Sequence, residues 1–295
     1  MARNLTRTFN ALQKLHPDLT TGTTPLGIGY GGIALKDGDS VIKALFRHRS
    51  KKEQATAEDI LRNEVCFMRH MEGIPLGQVK TPVLLDAPTP LPGKQYFAAY
   101  RMTLVPGTAG HWNFYNKRDT TPAEFYEAGK VLAQFHQAVA DIPSESVRDN
   151  DRLFHSAEIL QVPTLSNDVN EALAKANQYL QAHKKPAIIH GDYHGGNLTK
   201  DENGNIVGLY DFGNSGRVSN HIADFRNVPE DALPDFIRGY EDQSGTKIDP
   251  LMVTMTELSL LSSRLNCFPA TSDVYKDGVK ELNRQLNKAG LLPKV

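Results

Sequence analysis

The sequence predicts an α+β fold: a small β-rich unit with one long helix, then a larger unit built mostly of helices. Three observations point to it. Residues 25–46 hold two short β-prone runs around Asp37-Gly38-Asp39, a hairpin signal. Residues 51–72 repeat apolar side chains at helical spacing. Pro106-Gly107 breaks the pattern, and the remainder of the chain is mainly helical in character. The 295 residues suit two such units at about 150 residues each. The division predicted is 1–106 and 107–295.

A helix over about residues 3–15 leads into the polar turn Thr21-Gly22-Thr23-Thr24. LGIGYGGIALK and SVIKALF read as strands flanking the Asp-Gly turn. In the helix over 51–72, Ile60, Leu61, Val65, Met68 and Met71 share roughly one face. Pro82–Leu85 and Tyr96–Val105 read as two further strands. Pro122 suits the first turn of a helix whose apolar stripe is Phe125, Ala128, Val131, Leu132 and Phe135. Residues 141–170 are polar and carry no clear pattern. A helix is expected over 169–183, then a loop and a hairpin around Asn203-Gly204-Asn205. Helices over 232–243, 250–266 and 273–289 complete the chain.

Composition excludes several classes. Hydrophobic residues make up 40% and charged residues 23%, as in ordinary globular domains. The formal net charge is −1, so no basic nucleic-acid surface averages over the chain. Cys66 and Cys267 are too few for a disulfide framework and read as reduced thiols. The first 19 residues lack the apolar core of a secretory signal, and no apolar run approaches the ~20 residues of a membrane helix. A cytoplasmic protein with neither a nucleic-acid nor a membrane partner is expected. The charge is unevenly placed. Residues 1–107 carry 14 basic and 9 acidic side chains, a net +5, which leaves −6 for the rest. A phosphate-binding half beside an amine-binding half would produce that split, and so would two surfaces that drifted apart in charge.

Gly27-Ile28-Gly29-Tyr30-Gly31-Gly32 fits G-x-G-x-x-G, a string shared by dinucleotide folds and kinase phosphate loops. A dinucleotide loop opens directly into a helix, whereas here Ile33-Ala34-Leu35 continues as a strand. In such a hairpin, backbone N–H groups at Gly29, Tyr30, Gly31 and Gly32 can approach phosphates. A ligand-free flexible turn is the plainer alternative. Lys43 lies mid-strand, where it either snorkels to solvent or reaches a ligand phosphate. The second role needs a carboxylate to hold the ammonium. Glu64, on the polar flank of the 51–72 helix, is the best placed, with Glu53, Glu58 and Asp59 as rivals.

The most informative segment is His190-Gly191-Asp192-Tyr193-His194-Gly195-Gly196-Asn197-Leu198. Asp192 precedes Asn197 by five residues and Asp211, in Tyr210-Asp211-Phe212-Gly213, by 19. A loop Asp can orient a hydroxyl or accept its proton, while an Asn amide oxygen and a second carboxylate suit Mg²⁺. This is the kinase layout H-x-D-x-x-x-x-N followed by D-F-G, here after a glycine loop and a strand Lys. A metal site made of His190, Asp192 and His194 is an alternative. It leaves Asn197, Asp211 and Lys43 without a role, so His190 reads better as a loop-bracing imidazole.

HGDYHGGNL resembles the catalytic loop of the aminoglycoside phosphotransferase and choline kinase superfamily, which shares the bilobal protein-kinase-like fold. HGD in place of HRD is the discriminating feature. LRNEVCFMRHM resembles the family's helix carrying the Lys-pairing Glu, VLAQFHQAV its A-x-L-H helix, and DFIRGYEDQSG the stretch opening its C-terminal helices. The likeness spans about residues 25–265. The glycine loop is richer than usual for the family, and 141–186 matches no substrate pattern.

The resemblance implies roles. Asp192 would be the catalytic base or orienter, and Asn197 and Asp211 the Mg²⁺ ligands. Lys43, held by Glu64, would bind the nucleotide's phosphates. Tyr100–Val105 would be the hinge between lobes, with Thr103 and Val105 facing adenine and Met102 behind it. Asp224 would brace the catalytic loop. The implied reaction moves the γ-phosphoryl group of Mg-ATP, with GTP also open, to a hydroxyl of a small molecule such as an aminoglycoside, a choline-like compound, an amino alcohol or a sugar. A protein kinase and a non-catalytic nucleotide-binding protein are the alternatives. Against the first, no A-P-E-like segment comes after Asp211. Against the second, every residue the chemistry needs is present. Glu230, Asp231, Asp235, Glu241 and Asp242 are candidates for binding an acceptor amine, or are solvated helix ends. His111–Tyr115, just past the hinge, is an aromatic stretch that could touch substrate or simply pack.

Overall fold

The strand Ser40–Phe46 shows how the first half is assembled. The computed structural model describes residues 4–29, 31–48, 50–110, 120–143, 147–149, 162, 164–266 and 269–292. Tyr30, His111–Tyr115 and Cys267 lie outside them. In chain order, helices α1 (Leu5–Leu15) and α2 (Pro17–Thr20) precede strands β1 (Thr24–Ile28), β2 (Gly32–Asp37) and β3 (Ser40–Phe46). Helix α3 (Lys51–Met71) separates these from β4 (Leu84–Pro90) and β5 (Tyr96–Thr103). The strands form one antiparallel sheet in the order β1-β2-β3-β5-β4.

Successive β3 side chains point to opposite faces. Ile42, Ala44 and Phe46 join a cluster that α1 covers with Leu12, while Val41 and Leu45 join the core shared with Val65, Phe67 and Met68 of α3. Lys43 falls in the second set, which is why it faces α3. Helix α3 starts where the Ser50 hydroxyl accepts the Glu53 N–H at 3.0 Å.

Two expectations need correction. The strand expected at Pro82–Leu85 runs instead over Leu84–Pro90, through Pro88 and Pro90. Proline obscures a strand in sequence but is tolerated at a sheet edge, which is where β4 lies. Glu64, expected on a polar flank, is only 3% exposed. It lies on the core face of α3, because Lys43 is there to receive it.

The second half holds α4 (Pro122–Ala138), α5 (Asn167–Ala182), α6 (Leu233–Ser244), α7 (Pro250–Asn266) and α8 (Asp273–Lys288). Thr121 and Glu124 form a capping box at the start of α4. Gly129 of α4 and Gly239 of α6 let the two helices meet backbone to backbone; a Cβ on either would lie 2.0 Å or less from a carbonyl oxygen of the other helix.

Short strands carry the loop motifs. β7 (Ala187–Ile189) pairs with β10 (Gly216–Val218), and β6 (Thr108–Ala109), β8 (Leu198–Lys200) and β9 (Ile206–Leu209) form a second small sheet. The β8–β9 hairpin turns at Gly204, as its Asn-Gly signal predicts. β6, β7 and β10 are two or three residues long and leave no periodic signal. The expected α+β order, a sheet and then helices, is what the chain adopts.

Candidate active site

Lys43 sits between two carboxylates. Its ammonium lies 2.9 Å from both oxygens of Glu64 and 3.1 Å from Oδ1 of Asp211. Burial works against the Lys43 charge, but Asp211 and Glu64 outweigh it and raise the pKa well above the ordinary value. Lys43 is a fixed cation. Burial pushes the Glu64 carboxyl up, and Lys43, helped by the Tyr100 hydroxyl, opposes this. The rivals Glu53, Glu58 and Asp59 do not reach Lys43; Asp59 pairs with Arg62 instead.

Asp211 has φ +67°, the only positive value at a described non-glycine residue. That conformation is disfavoured for a side chain and is held by its surroundings. The adjoining turn, 212–214, is tied down by Asn63 of α3, whose amide donates to the carbonyls of Phe212 and Gly213, both at 3.2 Å. The Asp211 carboxylate stays 43% exposed, so it faces both Lys43 and solvent.

The loop between β7 and β8 carries Asp192 and Asn197. The buried His190 ring accepts the Asp192 N–H on Nδ1 at 3.3 Å and faces the Tyr210 carbonyl with Nε2 at 3.0 Å. Burial lowers its pKa, so the ring is neutral with its proton on Nε2. Both nitrogens are therefore occupied, and the alternative metal site of His190, Asp192 and His194 does not form. Among the described residues no group of three His, Cys, Asp or Glu side chains is arranged to hold a metal. His194 has a different use: its Nδ1 accepts the Gly196 N–H at 2.9 Å, and its Nε2 lies 3.7 Å from Oδ1 of Asp192. Burial raises the Asp192 pKa, but His194 more than offsets it, so Asp192 is a carboxylate at neutral pH.

Asn197 donates its amide to the Asp192 carbonyl at 2.8 Å, which leaves its side-chain oxygen as the end that can accept or coordinate. Its own carbonyl accepts the Tyr210 N–H at 3.1 Å, so the residue before Asp211 is pinned beside Asn197. A carboxylate and an amide oxygen on adjoining segments fit Mg²⁺, which takes few protein ligands.

Asp224 holds the loop from beneath. Fully buried, it accepts the N–H groups of His190 at 2.7 Å and Gly191 at 2.8 Å, and lies 3.0 Å from Nε2 of His136. Gly191 has φ +80°, and a Cβ there would lie 1.9 Å from the Asn214 carbonyl oxygen. The glycine of HGD is thus demanded twice. Arg226 donates to the Gly191 carbonyl. Phe212 stacks between Phe67 of α3 and Phe135 of α4, with centroids 6.3 and 5.9 Å away. Sequence reading gives no role to Asn63, His136, Arg226 or this stack, because their partners lie 35 to 150 residues away.

At the end of β5, the Thr103 N–H donates to the Val83 carbonyl at 2.9 Å, and the Leu104 N–H to the Asp39 carbonyl at 2.8 Å. Met102 is buried on the α3 face of the sheet. Val105 is half-buried beside Gly208, as the chain crosses toward β6. In the glycine loop, a Cβ on Gly29 or Gly31 would meet nothing within 4 Å, whereas one on Gly32 would strike the Ala44 carbonyl at 2.5 Å. Gly32 serves strand packing; Gly29 and Gly31 border open space.

Most of the acidic candidates for an acceptor amine already have partners. Glu230 meets Arg284 and Lys288, Glu241 meets Lys247, Asp235 meets Arg238, and Asp242 accepts from Tyr126.

A buried Lys–Glu pair under an antiparallel sheet, opposite a loop Asp and Asn, is the arrangement of a kinase-like phosphotransferase. Residues 33–225 match the phosphotransferase enzyme family, and the chain belongs to it. Solved structures share the fold. One is APH(2'')-IIIa in complex with GDP and kanamycin: 19% identity, TM-score 0.64, 97% of this chain and 99% of that one covered. A microcompartment-associated aminopropanol kinase has 13% identity and TM-score 0.61, with 97% of each chain covered. A streptomycin–ATP–APH(2'')-IIa ternary complex has 13% identity and TM-score 0.56, covering 96% and 97%. No curated protein sequence matches significantly. The chain is a phosphotransferase of kinase-like fold. No described helix is long and apolar enough to cross a membrane.

Proposed function

We propose that this phosphotransferase moves the γ-phosphoryl group of a Mg²⁺-bound purine nucleotide, ATP or GTP, to a hydroxyl of a small, amine-bearing molecule. The observation that carries the reading is Lys43, fixed between Glu64 and Asp211, on the cleft that Asp192 and Asn197 share. Solved relatives hold GDP with kanamycin, or ATP with streptomycin, on the same fold.

Residues 1–106 form the nucleotide lobe and 107–295 the catalytic and acceptor lobe. Lys43 binds phosphate oxygens, and the open space at Gly29 and Gly31 lets the loop backbone approach them. The base rests against the hinge under Met102, at the Thr103 carbonyl and the backbone of Val105. Asn197 and Asp211 would hold Mg²⁺, which neutralises phosphate charge when bound. Asp192, ionised and turned by His194, orients the acceptor hydroxyl and takes its proton. His190 and Asp224 fix the loop that carries Asp192. Positioning and electrostatics supply most of the acceleration. From Asp211 to Asp224 the chain is filled by a turn, β10 and a further turn, which leaves no long loop to seat a polypeptide.

The test is nucleotide consumption across amines, sugars, amino alcohols and aminoglycosides, in wild type and Asp192→Ala. The variant should lose turnover by about 10²-fold or more while nucleotide affinity stays within a few-fold. Full turnover by Asp192→Ala would sink the reading.

A further inference from the structure

Three consecutive backbone carbonyls run through Asp192, and each is taken by a different side chain. The Gly191 carbonyl accepts from Nη2 of Arg226, the Asp192 carbonyl from the Asn197 amide at 2.8 Å, and the Tyr193 carbonyl from the Asn227 amide at 3.3 Å. Arg226 and Asn227 are neighbours at the end of the turn His221–Asn227, to which Asp224 also belongs. The proposed reaction assigns neither of them a role.

The Gly191–Asp192 peptide is the one most in need of restraint. Gly191 has φ +80° and no Cβ, so the backbone beside it rotates at little cost. Rotation of this peptide would carry the Asp192 side chain with it. Both polar ends of the peptide are held, the carbonyl by Arg226 and the N–H by Nδ1 of His190 at 3.3 Å. Arg226 is braced in turn, because its Nη1 donates to the Ala223 carbonyl at 3.3 Å. On the far side of Asp192, the Tyr193 ring is fully buried and its hydroxyl donates to the Ala128 carbonyl of α4 at 2.7 Å. Asn227 fixes the backbone end of that same residue. Asp224 takes the N–H groups of His190 and Gly191, so one turn holds the loop by its donors and by its carbonyls.

We propose that Arg226 and Asn227 are positioning residues for phosphoryl transfer: by holding the carbonyls on either side of Asp192, they aim its carboxylate at the acceptor hydroxyl. This rests on the reading of Asp192 as the residue that orients that hydroxyl. Neither side chain has to touch nucleotide or acceptor. Loss of either contact frees a peptide next to Asp192, and the penalty falls on the chemical step.

Arg226→Met keeps the length of the stem and removes the donors. Asn227→Leu keeps the shape and removes one donor. With ATP or GTP as phosphoryl donor and water as acceptor, each should lower kcat about tenfold to a hundredfold while KM for the nucleotide stays within about twofold. Arg226→Lys, whose ammonium still reaches a carbonyl, should recover most of what Arg226→Met loses. In an Asp192→Ala background neither substitution should lower the residual rate further, because both act through Asp192. Should Arg226→Met fail to fold, Arg226→Lys against wild type and Asn227→Leu carry the test. A wild-type kcat in Asn227→Leu overturns the proposal, as does a nucleotide KM that rises in step with the loss of kcat, or a loss that persists without Asp192. If wild type consumes neither ATP nor GTP, or Asp192→Ala is fully active, the reading of Asp192 falls and this proposal with it. If Asp192→Ala is impaired and Asn227→Leu turns over normally, this proposal falls alone.

Discussion

Asn63 donates its side-chain amide to the Phe212 carbonyl at 3.2 Å, joining α3 to the turn behind Asp211 across 149 residues of chain. The same amide reaches the Gly213 and Ser215 carbonyls. Because Asn63 adjoins Glu64, the contact sets where α3 holds Lys43 relative to Asp211. Asn63→Ala leaves buried carbonyls unpaired and should destabilise the fold by about 1–3 kcal/mol. Nucleotide affinity should drop further than the stability loss explains, since Glu64 loses its anchor. Urea unfolding and a nucleotide titration on the same variant separate the two effects. Wild-type nucleotide affinity in Asn63→Ala would show that α3 is positioned by its apolar face alone.

Gly107 and Gly31 should respond to alanine in opposite ways. Gly107 has φ +94°, and a Cβ there would lie 2.5 Å from the Lys200 carbonyl oxygen. Gly107→Ala should therefore lower stability by about 1–3 kcal/mol through strain at the crossover. Gly31 has open space and no positive φ. Gly31→Ala should leave stability unchanged or raise it by up to about 1 kcal/mol, because it restricts the unfolded chain. It should nonetheless weaken nucleotide binding, by filling the space that phosphates would occupy. Thermal unfolding and KM for the nucleotide read both outcomes. A Gly31→Ala enzyme with wild-type KM would remove the loop from the site.

How far the sequence can be read depends on the range of the interactions. The long helices and β3 are written in local periodicity and appear within a residue or two of expectation, whereas the run LGIGYGGIALK, read as one strand, divides into the antiparallel pair β1 and β2. The loop motif around Asp192 is also local, being five residues between two functional side chains. The illegible part is long-range. Nothing at position 64 says that the carboxylate is buried until the face of β3 is known. Nothing at His194 says that its ring turns back toward Asp192, because a Gly196 N–H fixes it. β4 escapes a local reading because local rules place prolines outside strands, and its edge position is a tertiary fact.

The pH dependence of stability has an identifiable source in His221. Burial, then the nearby His136 and Lys185, lower its pKa to about 3. Its Nε2 is buried without a hydrogen bond, and its ring stacks on Tyr240 with centroids 5.6 Å apart. The unfolded chain protonates this ring near pH 6.5, and the folded one does not. The stability it contributes is therefore complete above about pH 6.5 and declines as pH falls toward 3, with a slope of up to about 1.4 kcal/mol per pH unit. His190, also lowered, adds to the slope. His221→Phe keeps the stack and removes the titration, so its stability should fall less between pH 7 and pH 5. Equal slopes for wild type and variant in urea unfolding would show that the ring is not the source.

Asp224 anchors the loop that carries Asp192 through three donors, the N–H groups of His190 and Gly191 and Nε2 of His136. Burial alone would raise its pKa, but His136, His190 and Arg226 more than offset that and hold it below the ordinary value. Its stabilisation is present at neutral pH and lost only as pH falls through that lowered value. An amide cannot replace it. Asp224→Asn turns an N–H group toward at least one of three N–H donors, so a buried donor goes unpaired at a cost of about 1–3 kcal/mol. Since His190 and Gly191 lead directly into Asp192, the proposed role of Asp192 makes the geometry lost that of the acceptor hydroxyl and not of the nucleotide. The variant should show a reduced kcat with a nearly unchanged KM for nucleotide. A raised nucleotide KM at wild-type kcat would place the influence of Asp224 on the nucleotide instead.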